Sequence, residues 1–424
     1  MVHHVRYSLL RGKMTNTTKT HDVLIIGSGP TGGTLACALA QEGLSVCLVD
    51  HIAPETFLKA SSDGRVYALS HGSYNLLKSL NIWNSISEKA TPITDIKVCE
   101  GTSGPTLHYD HQLVHKPLGY MVEAPLLRKA IVEAINSQQA IQFRAPDQIL
   151  SLEKSSTGVI ATLKSGHTIR TSLVIAADGR NSKIREKAGI EFTEIPYNQH
   201  ALVCVVHHEH PHNGLAYEKF YGTGPFAALP MNDVENSKSK FSHRSSIVWS
   251  DQPETIKALM NLDENTLSTL LKERMGSYYG NAQLSGKRWS YPLIMGMTKS
   301  SIAQRLVLLG DAAHAMHPVA GQGLNLGLRD VAALAETLLD AHKLGTDLGS
   351  SLLLEKYEQW RKVDVHTLTA STDGIVRFFS NDSKLLKALG SFGFGLIDKM
   401  PSLKKPLMKH AMGVMGDLPR SLKG

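Results

Sequence analysis

Apolar residues in this chain occur either as short unbroken runs or in strict alternation, and the two patterns fall in different regions. Val23 to Ile26 is apolar throughout, the pattern of a short strand buried on both faces. A helix rich in Ala and Leu follows and stops near Gly43, and a second run, Val46 to Val49, ends at Asp50. Strand, helix and strand in that order predict a βαβ unit. Leu173–Ala177 and Leu306–Leu309 are further runs of the same kind. Between about 190 and 290 the character changes. "HALVCVVHH" and "RSSIVWS" alternate, as antiparallel strands do, and a polar loop, "MNDVENSKSKFSHRSS", interrupts them. From about 350 the pattern is helical. The expected fold class is α/β: a Rossmann-like domain (21–75, 110–189 and 290–345), a mainly antiparallel β domain (76–109 and 190–289) and a C-terminal helical region (346–424).

The punctuation of the first unit carries chemistry. Gly27, Gly29 and Gly32, with Pro30 and Thr31 between them, form GxGxxG between strand and helix. The first glycine permits the tight turn, the second lets backbone approach a pyrophosphate, and the third lets helix pack on strand. The helix tip then offers free N–H groups to phosphate charge. Asp50, about 20 residues on, is placed to accept from ribose hydroxyls and to repel a 2′-phosphate. The same glycine spacing in "YGTGPFAALP" is followed by Pro230 and opens no helix, so it reads as a turn between strands. In "IAADGRNSKIR", Asp178-Gly179 ends a strand, and Ser182 and Arg185 belong to the helix that follows.

The stretch "GDAAHAMHPVAGQGLNLGLRD" is denser still. Gly310 and Asp311 end a strand, the loop runs through His314, His317 and Pro318, and Gly321-Gln322-Gly323-Leu324-Asn325 open a long helix. A metal site needs three ligands or more in one geometry. His314 and His317 share a Pro-bounded loop with no third ligand in view, and no metal is expected there or at "HHEHPH" (His207–His212), where a strand runs into a Pro-bounded loop. No nucleophile stands nearby for a His dyad. A second helix tip, with glycines clearing space, instead suits a large planar ligand that carries negative charge. A reduced flavin meets that description. Asp311 would hold its ribityl hydroxyls and Asn325 its pyrimidine edge.

Composition bounds these readings. With 424 residues the chain exceeds one ordinary core. No apolar stretch reaches 18 residues, and the first 20 residues lack an apolar h-region, so a secretory signal is not expected there. Cys37, Cys47, Cys99 and Cys204 have no metal or CxxC spacing and suit buried thiols in a reducing compartment. The net charge of +7 collects in the basic N-terminal extension (1–20) and after residue 380. That distribution fits an anionic membrane surface better than nucleic acid, which is not an expected partner. Met14 offers an alternative start, with residues 1–13 an upstream extension.

The order GxGxxG, DG, GDAAHxxxPxxGQGxN resembles the FAD-dependent aromatic hydroxylases of the para-hydroxybenzoate hydroxylase type, from residue 21 to about 420. "DGRVYALSHGSYNLLKSLNIW", "LGYMVEAPLL", "GPFAALP", "YEQWRKVDV" and "AMGVMGDLP" are similar to segments of the ubiquinone-biosynthesis hydroxylases within that group. The resemblance implies FAD as cofactor and NAD(P)H or another external donor as reductant. It also implies O2 transfer through a flavin C4a-hydroperoxide to a polyprenylated phenol. Arg65 would then lie near the flavin, and His317 and Pro318 beside the reacting carbon. Tyr221 and Trp249 are candidates for the substrate pocket. Where such relatives carry Asn after the "VE" step this chain has Ala124. A membrane-dwelling substrate would bring the enzyme to the inner face of the cytoplasmic membrane, or to the matrix side in a mitochondrion, with a ubiquinone-biosynthesis complex as partner. Leu385, Leu389, Phe392 and Leu396, flanked by lysines, would make that contact. The rival readings are an FAD monooxygenase of another aromatic, a flavin halogenase and an idle flavoprotein scaffold. The chain lacks the WxWxIP pattern of halogenases.

Overall fold

The computed structural model describes residues 19–59, 63–101, 106–234, 239–316, 321–379 and 397–423. His317, Pro318, Leu385, Leu389, Phe392 and Leu396 lie outside these, as does nearly all of the basic N-terminal extension.

The predicted βαβ unit is β1 (Lys19–Ile26), α1 (Pro30–Gln41) and β2 (Val46–Val49), with the strands parallel and Val23 opposite Val46. Thr168–Ala176 lies on the other side of β1, and Leu306–Leu308 lies beyond it, both parallel. Ile141–Arg144 extends the sheet past β2. Unbroken apolar runs are required because both faces are covered. Val23 and Ile25 enter one core with α1, Ala124–Ser137 and Gln322–Lys343. Leu24 and Ile26 enter a second core on the opposite face.

The alternating region forms an eight-stranded sheet in the order His314–Ala315, Ala282–Thr298, Phe192–His208, His243–Asp251, Gly224–Met231, Leu215–Tyr221, Asp95–Glu100, Thr106–Asp110. Its pairs are antiparallel except Leu215–Tyr221 with Asp95–Glu100. The period of two sorts its side chains. Leu202, Cys204, Val206, Ile247 and Trp249 pack against the helices Pro253–Asn261 and Glu264–Met275. Ala201, Val203, Ala227 and Val248 face a cavity between this sheet and the first. A three-stranded sheet, Val66–Ser70, Gly119–Glu123 and Thr91–Ile93, stands at the side of the cavity. "YGTGPFAALP" is the hairpin between Leu215–Tyr221 and Gly224–Met231.

Past residue 350 the described residues are mainly helical. Ser351–Phe379 packs on Gln322–Lys343, and Pro401–Ala411 covers one end of the cavity. The last turn returns to the helix His71–Ser79, where Asn75 Nδ2 donates to the Leu422 carbonyl at 2.9 Å. All four cysteines are buried, none in a disulfide.

Candidate functional site: two helix tips on one apolar chamber

The site begins at the turn after β1. Gly27 has φ +102°, and a Cβ there would stand 2.3 Å from the Ala177 carbonyl oxygen. A Cβ on Gly32 would come 2.0 Å from the Gly27 oxygen. Neither position tolerates a side chain, so the turn and the packing of α1 both depend on glycine. Gly29 differs. It caps α1 in ordinary extended geometry, a Cβ would meet nothing within 4 Å, and its open side is the cavity. Pro30 and Thr31 line the cavity beside it.

Asp50 serves this loop. Its carboxylate accepts from the Ser28 backbone at 2.6 Å, the Ser28 hydroxyl at 2.8 Å and the Ile52 backbone at 2.9 Å. Asp50 is 6% exposed, lies off the cavity wall and locks the glycine loop.

The second tip is Gly321–Asn325. Gly321 sits in left-handed geometry (φ +61°) and caps Gln322–Lys343. Gly323 opens on free space, as Gly29 does. Gly321, Gln322, Gly323, Leu324 and Asn325 all border the cavity. The two helices meet through small residues, for Thr31 packs where Cβ atoms on Gly310 and Gly327 would stand, 3.0 and 2.7 Å from its Cγ2. Asn325 is spent within the protein. Its Oδ1 accepts from the Ser70 backbone and the Ser73 hydroxyl, both at 2.8 Å. Its Nδ2 donates to the carbonyls of Ala68 (2.8 Å) and Gly321 (3.1 Å). Asn325 thereby fastens the tip to the Val66–Ser70 strand while bordering the cavity.

Charged groups gather along the wall between the tips. Asp311 is exposed to the cavity, and desolvation by the surrounding protein raises its pKa despite His314, Arg180 and Arg65 nearby. Arg65 donates from Nε to Asp63 at 2.8 Å, and the Tyr291 hydroxyl donates to the Asp63 carbonyl at 2.7 Å. Burial works against the Asp63 charge, yet Arg65 holds its pKa below the usual value. The Ala124 backbone N–H donates to the Arg65 carbonyl at 3.0 Å, so Ala124 helps anchor the arginine strand without a polar side chain. Gly179 (φ +81°) is open to the cavity. Asp178 accepts from Ile184 N at 3.3 Å through Oδ2, while its Oδ1 is buried without a hydrogen-bond partner.

The chamber measures about 880 Å³. Away from the tips its walls are mainly apolar: Ile96, Val98, Leu107, Val203 and Val248 from the eight-stranded sheet, and Met408 from the Pro401–Ala411 helix. Tyr221 and Trp249, candidates for pocket or core alike, are in the core on the other face of the sheet. There the Arg274 guanidinium lies over both rings, at 4.2 and 4.1 Å. Period-two alternation leaves both places open, because it cannot say which of two buried faces meets ligand.

Residues missed by sequence reasoning lie behind the second tip. His314 Nε2 and Asp330 Oδ2 are 2.6 Å apart, and Arg361 Nε donates to Asp330 Oδ1 at 2.7 Å. Asp364 joins Arg361 to Arg329. Burial opposes the Asp330 charge, but His314 and Arg361 pull its pKa to about 2. Burial likewise opposes protonation of His314, and Asp330 overcomes it, so the imidazole pKa is raised. Arg361 and Asp364 belong to "YEQWRKVDV", which supplied the signal as a motif without a role.

Open glycines at two helix tips and an adjoining apolar chamber together suit a long ligand with an anionic middle and a flat end, as FAD is. Comparison with known proteins agrees. Residues 20–372 match the FAD binding domain family. The chain is similar to ubiquinone hydroxylase UbiL of Rhodospirillum rubrum, 42% identical over 409 residues, 96% of this chain and 93% of that protein. It is 31% identical over 400 residues to the 3-demethoxyubiquinol 3-hydroxylase of Escherichia coli, covering 94% of this chain and 100% of the relative. The crystal structure of p-nitrophenol 4-monooxygenase PnpA from Pseudomonas putida shares the fold at a TM-score of 0.75 and 18% identity, over 94% of this chain and 100% of that one. The sequence motifs, the paired helix tips and these relatives converge: the chain belongs to the family of FAD-dependent ubiquinone-biosynthesis hydroxylases.

Proposed function

We propose that this protein inserts one oxygen atom of O2 into the aromatic ring of a polyprenylated phenol in ubiquinone biosynthesis, using FAD and, as external reductant, NAD(P)H. The observation that carries this reading is the junction of the glycine-opened tips with the apolar chamber. Gly29, Pro30 and Thr31 would receive the pyrophosphate, Asp311 the ribityl hydroxyls, and Gly321–Leu324 the flat ring system. His317 and Pro318 belong to the same proposal, beside the reacting carbon. Bound and reduced, FAD activates O2 for transfer to the ring.

The chain's own residues then have distinct tasks. The N–H groups at Gln322–Leu324 stabilise negative charge at the ring edge without moving during reaction. Val203, Val248 and Leu293 keep water from the activated oxygen, which would otherwise be lost as H2O2. The chamber continues past the reacting end into Ile96, Val98, Leu107 and Met408, room for the apolar chain of the substrate. A substrate of that kind resides in a bilayer, so contact with a membrane surface and membership of a ubiquinone-biosynthesis complex are part of this proposal.

The test is NADH or NADPH consumption by the FAD-loaded protein with an added prenylphenol, with products divided between hydroxylated phenol and H2O2. The reading requires hydroxylated product in excess of peroxide. Reduction that ignores the phenol and yields only peroxide would sink it.

A further inference from the structure

The helix Pro401–Ala411 is apolar on two faces, for Met408 is buried inward while other apolar residues point outward. An ordinary surface helix points its apolar stripe at the core and its charges at water. Here Lys404 points inward, 8% exposed, with Nζ 2.8 Å from Asp398 Oδ1. Met400, Leu403 and Leu407, at i, i+3 and i+7, are 37%, 48% and 43% exposed and form an outward stripe. Met415 adds 46% exposure just beyond the helix. Lys399, Lys405 and Lys409 flank the stripe and are exposed. The same helix closes the chamber, for Leu407, Met408 and Ala411 border it, as does Ile397. The outward stripe and the inner apolar wall therefore meet at Leu407.

We propose that this face docks on an anionic lipid bilayer and that the chamber opens to the lipid beside Leu407, so that the substrate's hydrocarbon chain passes from one apolar phase to another. The passage of substrate rests on the proposed function; the docking does not. An outward apolar stripe rimmed by lysines suits the boundary between headgroups and acyl chains, where stripe and cations are both satisfied. A protein partner would match the stripe but not the lysine rim unless it were acidic.

The experiment is co-flotation of the full-length, FAD-loaded protein with vesicles of phosphatidylcholine alone or mixed with phosphatidylglycerol. The wild type should float with the mixed vesicles, less so as salt rises. Lys405→Gln with Lys409→Gln should weaken binding by about 30-fold at low salt, from roughly fivefold per lysine. Met400→Ser with Leu403→Ser should weaken it by about tenfold or more, with FAD content and Tm unchanged, since neither residue reaches the chamber. Indifference of flotation to phosphatidylglycerol, or to both double substitutions, overturns the proposal. A wild-type dimer in solution that Met400→Ser with Leu403→Ser makes monomeric also overturns it, by assigning the face to a second copy. The two readings fail separately. Intact vesicle binding without hydroxylation sinks the proposed function alone. Hydroxylation of a water-soluble short-chain phenol without vesicle binding sinks the docking surface and the membrane contact, and leaves the hydroxylation standing.

Discussion

At the scale of single residues, Gly27 and Gly29 separate two uses of the same amino acid. Gly27→Ala forces a Cβ to 2.3 Å from a carbonyl at φ +102° and should cost at least about 1–2 kcal/mol, seen as a lower Tm with and without cofactor. Gly29→Ala meets nothing within 4 Å in the protein. It should keep the wild-type Tm in the FAD-free protein and weaken FAD binding, measured by fluorescence quenching, because its methyl projects into the chamber. Equal losses of Tm in both variants would contradict this division. His314 and Asp330 set a pH window. Asp330, held near 2, contributes stability above its unfolded pKa of about 3.9 that is lost as pH falls toward 2. His314, with a raised pKa, contributes stability that is full below its unfolded pKa of about 6.5 and lost as pH rises through the folded value. Thermal unfolding between pH 6 and 9 should therefore fall more steeply in the wild type than in His314→Gln. The glycine roles were legible because GxGxxG between strand and helix has one physical solution. The Asp330 ion network was not, because its members stand far apart in sequence and meet only in the fold.

At the scale of elements, the βαβ unit, the second tip and the alternating sheet could all be read from periodicity and punctuation, which are local properties. What the elements do to one another could not. Asn325 suits a ligand by its position, but three of its four hydrogen bonds join helix Gln322–Lys343 to strand Val66–Ser70 and helix His71–Ser79, and the fourth goes to Gly321 at its own helix cap. Removing it strands the Ser70 N–H and the Ala68 carbonyl. Asn325→Ala should accordingly destabilise by about 2–4 kcal/mol and detach the second tip, so FAD affinity drops together with Tm. A variant that loses affinity at constant Tm would return Asn325 to the ligand. For Asp50 likewise, an acid at the end of β2 is predictable, whereas its closure on Ser28 depends on the loop's curl.

At the scale of the whole molecule, the chamber lies between two sheets and is finished by a helix from the far end of the chain. Saturation with FAD at a hundred times its Kd should add about 2.7 kcal/mol and raise the Tm by several degrees. The Gly29→Ala protein should respond less at the same concentration. Capacity, too, belongs to this scale. Ala201, Ala216 and Ala227 border the chamber where larger apolar residues would occupy it. The volume on offer is thus set by methyl groups on rigid strands rather than by a mobile loop. An engineer wishing to narrow the range of accepted phenols could therefore install valine or leucine at one of the three alanines, grading the allowed bulk step by step while leaving the electrostatics of the flavin end as they are.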